Sequence, residues 1–212
     1  MTEGSSAPVR AFRHSVRSLL AGVTEKDPSS EGRPERMART VAVIATARDL
    51  DRATVKGLML AAHLHDVGKV AIPEPILLKS GTLTPGEYEI VKRHCLSGSR
   101  LIEASGLREV AQWIRSHHEH WDGSGYPDGL AGETIPLEAR ILGIADALDA
   151  MTTTRLYREP VSATAAADEI ERCAGTQFDP ELARWVATAL RSGALPVGAS
   201  SAPLAGAGLS AA

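Results

Sequence analysis

Histidine and carboxylate side chains recur along the middle of this chain, mostly at the ends of segments that read as helices. The side chains in question are His65, Asp66, His94, His117, His118 and Asp146. Imidazole and carboxylate donors without thiolate favour iron, manganese, zinc or nickel over calcium. Asp146 lies inside the apolar segment 141–147, where an unpaired carboxylate is costly to bury. The set therefore predicts a transition-metal site whose ligands come from several helices.

Asp66 and Lys69 follow the first of these histidines and point to hydrolytic chemistry. With its two oxygens, Asp66 could bridge two ions about 3.5 to 4 Å apart, the separation used in two-metal hydrolysis. Lys69 would then bring positive charge to a phosphoryl oxygen in the transition state. The alternative for Lys69 is an ordinary solvated lysine, but its place just after the histidine-aspartate pair favours the phosphate role. Asp66 and Lys69 are therefore the candidate catalytic residues.

A glycine-rich loop directly follows the last histidine pair and ends in Gly125-Tyr126-Pro127. Glycine and proline let backbone approach a ligand closely, which makes Gly125 and Tyr126 candidate substrate contacts. The ring of Tyr126 would otherwise only pack the loop. Glu119 and Asp122 could orient the histidines, as hydrogen-bond acceptors do around metal ligands. Asp149 either supports the site beside Asp146 or contributes only a polar helix face.

The elements that must hold these residues are predicted to be helices, because helical periodicity dominates and no strand-length alternation persists. Helices are expected around 12–20, from Pro34, over 52–65, from Pro85 through Leu101, over 107–118, from Pro136 through Leu148, and from Pro180 through Leu190. The clearest boundary is Thr84-Pro85-Gly86-Glu87, which has the pattern of a capping box. Trp113 and Trp185 are predicted core residues. The sequence thus predicts an all-α, multi-helix bundle.

Composition narrows the class of protein further. The chain has 212 residues and a formal charge of -3, which gives no basic field for DNA or RNA. Cys95 and Cys173 are isolated, which favours neither a disulfide framework nor a thiolate zinc site and is typical of the reducing cytoplasm. No apolar run reaches the roughly 18 residues of a membrane span. We expect disordered ends at 1–10 and 193–212 around one helical domain, 11–192.

With these residues in place, the sequence resembles the HD superfamily of metal-dependent phosphohydrolases, through His65-Asp66 and the later Asp146. More narrowly it resembles the HD-GYP subfamily, which degrades the bacterial second messenger cyclic di-GMP. The matching segments include 65–69, 72–73, 83–84, His94, 117–127, 129–130, Gly132, 135–136, 139–141, Asp146, Arg155, 157–158 and 175–180. The resemblance covers roughly residues 25 to 190.

This resemblance implies two metal ions, iron or manganese first and zinc or nickel as alternatives. One ion would be bound by Asp66, His94, His117 and His118. The other would be bound by His65, Asp66, Asp146 and a further histidine at position 33, where this chain has Arg33. Arg155 and Arg158 would recognise phosphates or guanine edges, or form only a charged helix end.

Arg33 leaves three consequences open. Three protein ligands plus water can still hold a metal, which would give a weakened two-metal site or a site with one ion bound. The guanidinium could instead repel a cation and attract a phosphate, and activity could then fall or vanish. The intact remainder of the ligand set favours retained but metal-sensitive hydrolysis.

The function implied is a cytoplasmic phosphodiesterase that hydrolyses cyclic di-GMP to linear pGpG, to GMP, or to both. Another cyclic dinucleotide or nucleotide is the nearest alternative substrate. The alternative from a different class is a catalytically weak or inactive module that acts as a cyclic di-GMP sensor or a protein-interaction module. Expected partners are the cyclic dinucleotide and a signalling protein or a second copy of the chain, with no nucleic acid and no membrane.

Overall fold

The computed structural model describes residues 32–153, 159–195 and 197. Within these ranges the chain forms nine α-helices and two short 3-10 helices, at Val67–Ala71 and Gly132–Thr134. The α-helices are α1 (Arg33–Ala47), α2 (Arg52–Leu64), α3 (Glu74–Leu77), α4 (Pro85–Lys92), α5 (His94–Glu103), α6 (Arg108–Ser116), α7 (Leu137–Thr152), α8 (Ala163–Arg172) and α9 (Pro180–Ser192). Extended pairing in the described part amounts to a single bridge between Ala174 and Phe178. The all-α prediction is confirmed.

Four helices, α1, α2, α6 and α7, surround the core of the bundle. Helix α1 packs on α2 and α7, and α6 packs on α2, α5 and α7. Fully buried aliphatic side chains from each of these helices meet at the centre: Ile44, Leu58, Ile114 and Ile144. Each contributes roughly 1.5 to 3 kcal/mol relative to exposure. Helices α8 and α9 pack against each other and close the bundle beside α7.

The helix starts follow their sequence signals. The Thr84 hydroxyl accepts from the Glu87 amide while the Glu87 carboxylate accepts from the Thr84 amide, so the predicted capping box is confirmed. Asp51 and Asp179 cap α2 and α9 in the same way, by accepting backbone N–H groups of the first turn. Trp113 is buried and Trp185 packs against the core, as predicted.

Two helix predictions need correction and one lies outside the described residues. The segment from Pro85 through Leu101 is two helices rather than one, because the chain turns at Arg93, between α4 and α5. Leu101 consequently faces solvent. Helix α8 was missed, although Ser162 caps it by accepting from the Ala165 amide. The helix expected around 12–20 falls outside the described residues, as do most of the two predicted disordered ends, so the predicted domain division stays a prediction.

Among the helices described, none combines the length and the apolarity needed to cross a bilayer.

Candidate metal centre

Three histidines of the site share one orientation, set by the helix ends on which they lie. In each, Nδ1 lies within hydrogen-bond distance of the carbonyl oxygen three residues earlier: His65 and Ala62 (2.8 Å), His94 and Val91 (2.8 Å), and His117 and Ile114 (2.6 Å). A ring that donates through Nδ1 carries its free lone pair on Nε2. The Nε2 atoms of His65 and His117 are buried and have no hydrogen-bond partner. This is the arrangement of metal-ligating histidine.

The imidazoles of His94, His117 and His118 converge on one point. Ring centroids lie 5.5 Å apart for His94 and His117, 5.2 Å for His94 and His118, and 4.0 Å for His117 and His118. Asp66 lies beside this histidine cluster, with its Oδ1 3.8 Å from His94 Nε2. The four residues predicted for one ion are therefore adjacent, although they come from α2, α5 and α6 or the turns that follow them.

Burial sets the protonation of these histidines. It lowers the pKa of His94, lowers that of His117 well below its ordinary value, and brings that of His118 to about 4. All three are therefore neutral near pH 7, and neutral imidazole is the form that binds a metal. Converging neutral donors with unpartnered nitrogens fit a transition-metal ion.

Cys95 lies in the same cluster, and sequence reasoning missed it. Its Sγ is 3.6 Å from His94 Nε2 and 3.9 Å from His117 Nδ1, and one donor atom from each of Cys95, His94, His117 and His118 lies within 4.8 Å of the others. Burial raises the pKa of this thiol, so it stays protonated in the protein without an ion. Only its place next to His94 could have signalled its position, because it belongs to no paired-cysteine motif.

Asp66, Asp146 and Asp149 form the carboxylate side of the site, and the guanidinium of Arg33 lies among them. This group donates a hydrogen bond to Asp146 Oδ1, and its Nη1 lies 3.4 Å from Asp66 Oδ2. Its Nε lies 3.6 Å from Asp149 Oδ2. The arginine side chain is only 11% exposed. The residue that replaces the expected histidine thus reaches into the site instead of turning to solvent.

Asp149 belongs to this network, which settles its position but not its role. Its carboxylate accepts from Arg36, with Nε 2.7 Å from Oδ1 and Nη2 3.3 Å from Oδ2. Arg33 and Arg36 are three residues apart on α1, and Asp146 and Asp149 are three apart on α7, so each pair lies on one helix face. Two arginines of α1 therefore meet two aspartates of α7.

Asp66 is the residue shared by the two sides. The 3-10 turn Val67–Ala71 folds Lys69 back, so that its Nζ lies 2.8 Å from Asp66 Oδ2. His65 Nε2 lies 3.2 Å from the same oxygen. Burial raises the pKa of Asp66, but His65, Lys69 and Arg33 together lower it well below the ordinary range. Asp66 is therefore an ionised carboxylate surrounded by cations and imidazoles.

Gly68 explains how this turn approaches α5 so closely. A Cβ at this position would lie 2.0 Å from the carbonyl oxygen of His94 and 2.6 Å from the amide nitrogen of Gly98. No side chain fits there, so glycine is needed for the turn to touch the helix that carries His94. The contact fixes Asp66 and Lys69 against the histidine cluster.

The glycine-rich loop is held by Glu119 and returns to the histidines. The buried carboxylate of Glu119 accepts from the amides of Asp128 (2.7 Å) and Leu130 (3.1 Å). The Tyr126 amide donates to the His118 carbonyl, and the two rings lie 5.0 Å apart. Gly125 passes so near the backbone of 119–120 that a Cβ would lie 2.2 Å from the His120 nitrogen. The loop therefore forms a wall next to His118.

Two further side chains border this wall, and Asp122 does not. The Tyr88 ring lies 6.4 Å from the Tyr126 ring, and Lys92 Nζ lies 4.9 Å from the Tyr88 centroid and 5.5 Å from that of Tyr126. Asp122 is exposed and accepts from the Ser124 amide at 2.9 Å, which places its carboxylate in the loop turn and not behind the histidines. Arg155 and Arg158 lie outside the described residues.

Comparison with known proteins identifies the family of this chain. The family model described as "HD domain" matches residues 19–182. The chain belongs to the HD domain family. The cyclic di-GMP phosphodiesterase response regulator RpfG of Xanthomonas campestris is 40% identical over 171 residues, which cover 79% of this chain and 45% of the relative. A cyclic di-GMP phosphodiesterase of Thermotoga maritima is 38% identical over 175 residues, covering 81% of this chain and 48% of the relative.

These relatives confirm the resemblance to the HD-GYP subfamily. The chain spans about half the length of both. Among solved structures, a cyclic GMP-AMP specific phosphodiesterase of Vibrio cholerae superimposes with a TM-score of 0.63 at 21% identity, over 84% of this chain and 48% of that chain. That likeness confirms the HD fold.

Proposed function

We propose that this HD domain is a metal-dependent phosphodiesterase that hydrolyses cyclic di-GMP to linear pGpG, GMP, or both. The observation that carries the proposal is the convergence of three neutral histidines next to the ionised Asp66, which contacts both His94 and Lys69. The printed names of the relatives from Xanthomonas and Thermotoga supply the substrate class. A bound iron or manganese ion, or zinc or nickel as alternatives, supplies Lewis acidity for the phosphoryl oxygens and the attacking water.

In this proposal Lys69 stabilises charge on the reacting phosphate. Negative charge on the nonbridging oxygens must be matched in the transition state of phosphoryl transfer, and a fixed cation within reach lowers the barrier. Lys69 Nζ is held 2.8 Å from Asp66 Oδ2, and its side chain is 18% exposed. The ammonium is therefore both oriented toward the candidate metal ligands and open to an incoming phosphate.

The aromatic side chains beside His118 form the proposed base-binding wall. Tyr88 is 45% exposed at the edge of the loop, and Lys92 lies over its ring. Aromatic rings bind nucleobases by stacking, at roughly 1 to 3 kcal/mol per base. We expect Tyr88→Ala to raise KM about tenfold with little change in kcat, and Tyr88→Phe to retain KM, in steady-state assays with cyclic di-GMP. Equal KM values for the two variants would remove Tyr88 from the substrate contacts.

The remaining substrate contacts stay proposals based on the resemblance. Arg155 and Arg158 are proposed to bind phosphate or guanine edges, and the backbone at Gly125 is proposed to border the substrate. We also propose a cytoplasmic location, with a signalling protein or a second copy of the chain as partner. Light scattering on the purified chain distinguishes a dimer from a monomer.

A second candidate function is a cyclic di-GMP sensor or protein-interaction module that turns over slowly or not at all. The position of Arg33 favours it, because the guanidinium lies where a second ion's ligand is expected.

The test uses purified protein with iron or manganese in anaerobic, reducing buffer. Cyclic di-GMP and cyclic GMP-AMP are followed separately by chromatography, and binding is followed by calorimetry. Product that depends on His65 and Asp66, as tested by His65→Ala and Asp66→Ala, contradicts the sensor. Tight binding of cyclic di-GMP without product contradicts the enzyme. Faster hydrolysis of cyclic GMP-AMP would change the substrate but keep the reaction class.

A further inference from the structure

We propose that the guanidinium of Arg33 replaces the second metal ion, so that this chain binds a single ion on its histidine side. This inference deepens the proposed function and rests on it for the identity of the histidine cluster as a metal site. It goes beyond the sequence-based expectations, which left a weakened two-metal site open.

Arg33 lies where the second ion would bind. Arg33 contacts all three carboxylates of its side of the site, Asp66, Asp146 and Asp149, through its three nitrogens. Asp146 and Asp66 are two of the residues that a second ion would need. Because the guanidinium already lies between their oxygens, an ion could bind there only if Arg33 moved away.

The positive charge of Arg33 also opposes the binding of a second ion. A guanidinium keeps its proton in proteins, so its repulsion of a cation cannot be relieved by deprotonation. The carboxylates of Asp66, Asp146 and Asp149 are at most 14% exposed, and they face three cationic side chains, Arg33, Arg36 and Lys69. The net charge of the carboxylate side is therefore close to zero without any ion. Its electrostatic attraction for a second dication is correspondingly weak.

The histidine side keeps a full ligand set. Arg33 and Lys69 both face Oδ2 of Asp66, whereas Oδ1 is the oxygen nearest His94, at 3.8 Å. One oxygen of Asp66 thus remains for an ion together with His94, His117 and His118. Four protein donors are sufficient for a transition-metal ion.

The fold holds Arg33 in place. It is the first residue of α1, which packs against α7, and Pro34 favours the first helical turn. Arg36, one turn later, binds Asp149 and fixes the same pair of helices together. Withdrawal of the Arg33 side chain would leave the largely buried Asp146 without this hydrogen-bond donor.

Metal stoichiometry tests the inference without any activity measurement. Chelator-treated protein is saturated with Mn²⁺, freed of excess, and analysed by elemental analysis and by electron paramagnetic resonance. We expect about one ion per chain and an isolated-ion spectrum for the natural protein, and about two ions with magnetic coupling for Arg33→His, which restores a neutral donor. Arg33→Lys keeps the positive charge and should stay near one ion.

Arg48→Met is the matched control, because Arg48 caps the other end of α1 and pairs with Glu181 at the surface. It should bind one ion, as the natural protein does. Arg33→Met covers the case in which Arg33→His folds poorly: its metal-free form should melt at lower temperature, and Mn²⁺ should raise its melting temperature more than it raises that of the natural protein.

The outcomes separate this inference from the proposed function. Two coupled ions in the natural protein, or one ion in a folded Arg33→His variant, would overturn the role of Arg33 and leave the proposed hydrolysis standing. One ion without hydrolysis of cyclic di-GMP or cyclic GMP-AMP would support the role of Arg33 and overturn the proposed function. No bound ion in either protein would overturn both.

Discussion

Glu119 gives a prediction whose size follows from the structure. Its buried carboxylate accepts from the Asp128 and Leu130 amides, and these two bonds tie the far end of the glycine-rich loop to the turn after His118. Glu119→Gln keeps the shape but replaces one oxygen by a donor, which leaves one of the two N–H groups facing another N–H group. A buried donor without a partner costs about 1 to 3 kcal/mol.

For a chain of this size, a loss of about 2 kcal/mol lowers Tm by roughly 4 to 8 °C. The assay is thermal unfolding of the metal-free protein followed by circular dichroism. Because Tyr126 lies on the segment that Glu119 closes, the variant should also raise KM for cyclic di-GMP. Glu133→Gln is the control, since Glu133 belongs to the same loop region and is exposed. Equal Tm values for the two variants would refute the argument that Glu119 holds the loop.

Four further predictions concern the site. The metal-free protein should lose stability to urea as pH falls from 7.5 to 5. Burial holds the pKa of His118 at about 4 in the folded chain, below its ordinary value, so the unfolded chain takes up the proton first. Stability to urea that does not change over this pH range would contradict the prediction. Gly68→Ala should destabilise the fold by about 1 to 3 kcal/mol and weaken Mn²⁺ binding, since the new methyl would press on His94, and calorimetry of Mn²⁺ binding measures the second effect. Cys95→Ala should change the affinity for Mn²⁺ less than twofold. The natural protein loaded with Co²⁺ should lack a thiolate charge-transfer band, and the appearance of that band would show that Cys95 is a metal ligand. Lys69→Met should lower kcat roughly 100-fold while about the same amount of metal stays bound, and an unchanged kcat would leave Lys69 only as the partner of Asp66.

The all-α architecture was predictable because helical periodicity and capping signals are local. The box at Thr84 and Glu87 is complete within four residues, and it forms as expected. The break at Arg93 was not predictable in this way, because the apolar spacing continues from α4 into α5. The segment after the turn makes tertiary contacts, such as that of the His94 carbonyl with Gly68, which local sequence signals do not include.

The grouping of the candidate ligands was predictable from the resemblance, but their pairing was not. Sequence places Arg33 at the position of an expected histidine and leaves open whether its side chain points in or out. The answer depends on Asp149 and Arg36, which lie 113 residues apart and meet only because α1 packs on α7. Cys95 was missed for a similar reason, since its contact with His117 depends on how α5 lies against α6.

Asp66 gives the site a property that none of its separate contacts has. Its Oδ1 faces His94 and its Oδ2 faces His65, Lys69 and Arg33, so a single carboxylate charge is divided between two sets of partners. A phosphate that draws Lys69 away leaves more of that charge for an ion beside His94. Thermodynamic reciprocity then requires the ion to raise the affinity for phosphate by the same factor. Metal and substrate should therefore bind with positive cooperativity, even though they need not touch the same protein atom.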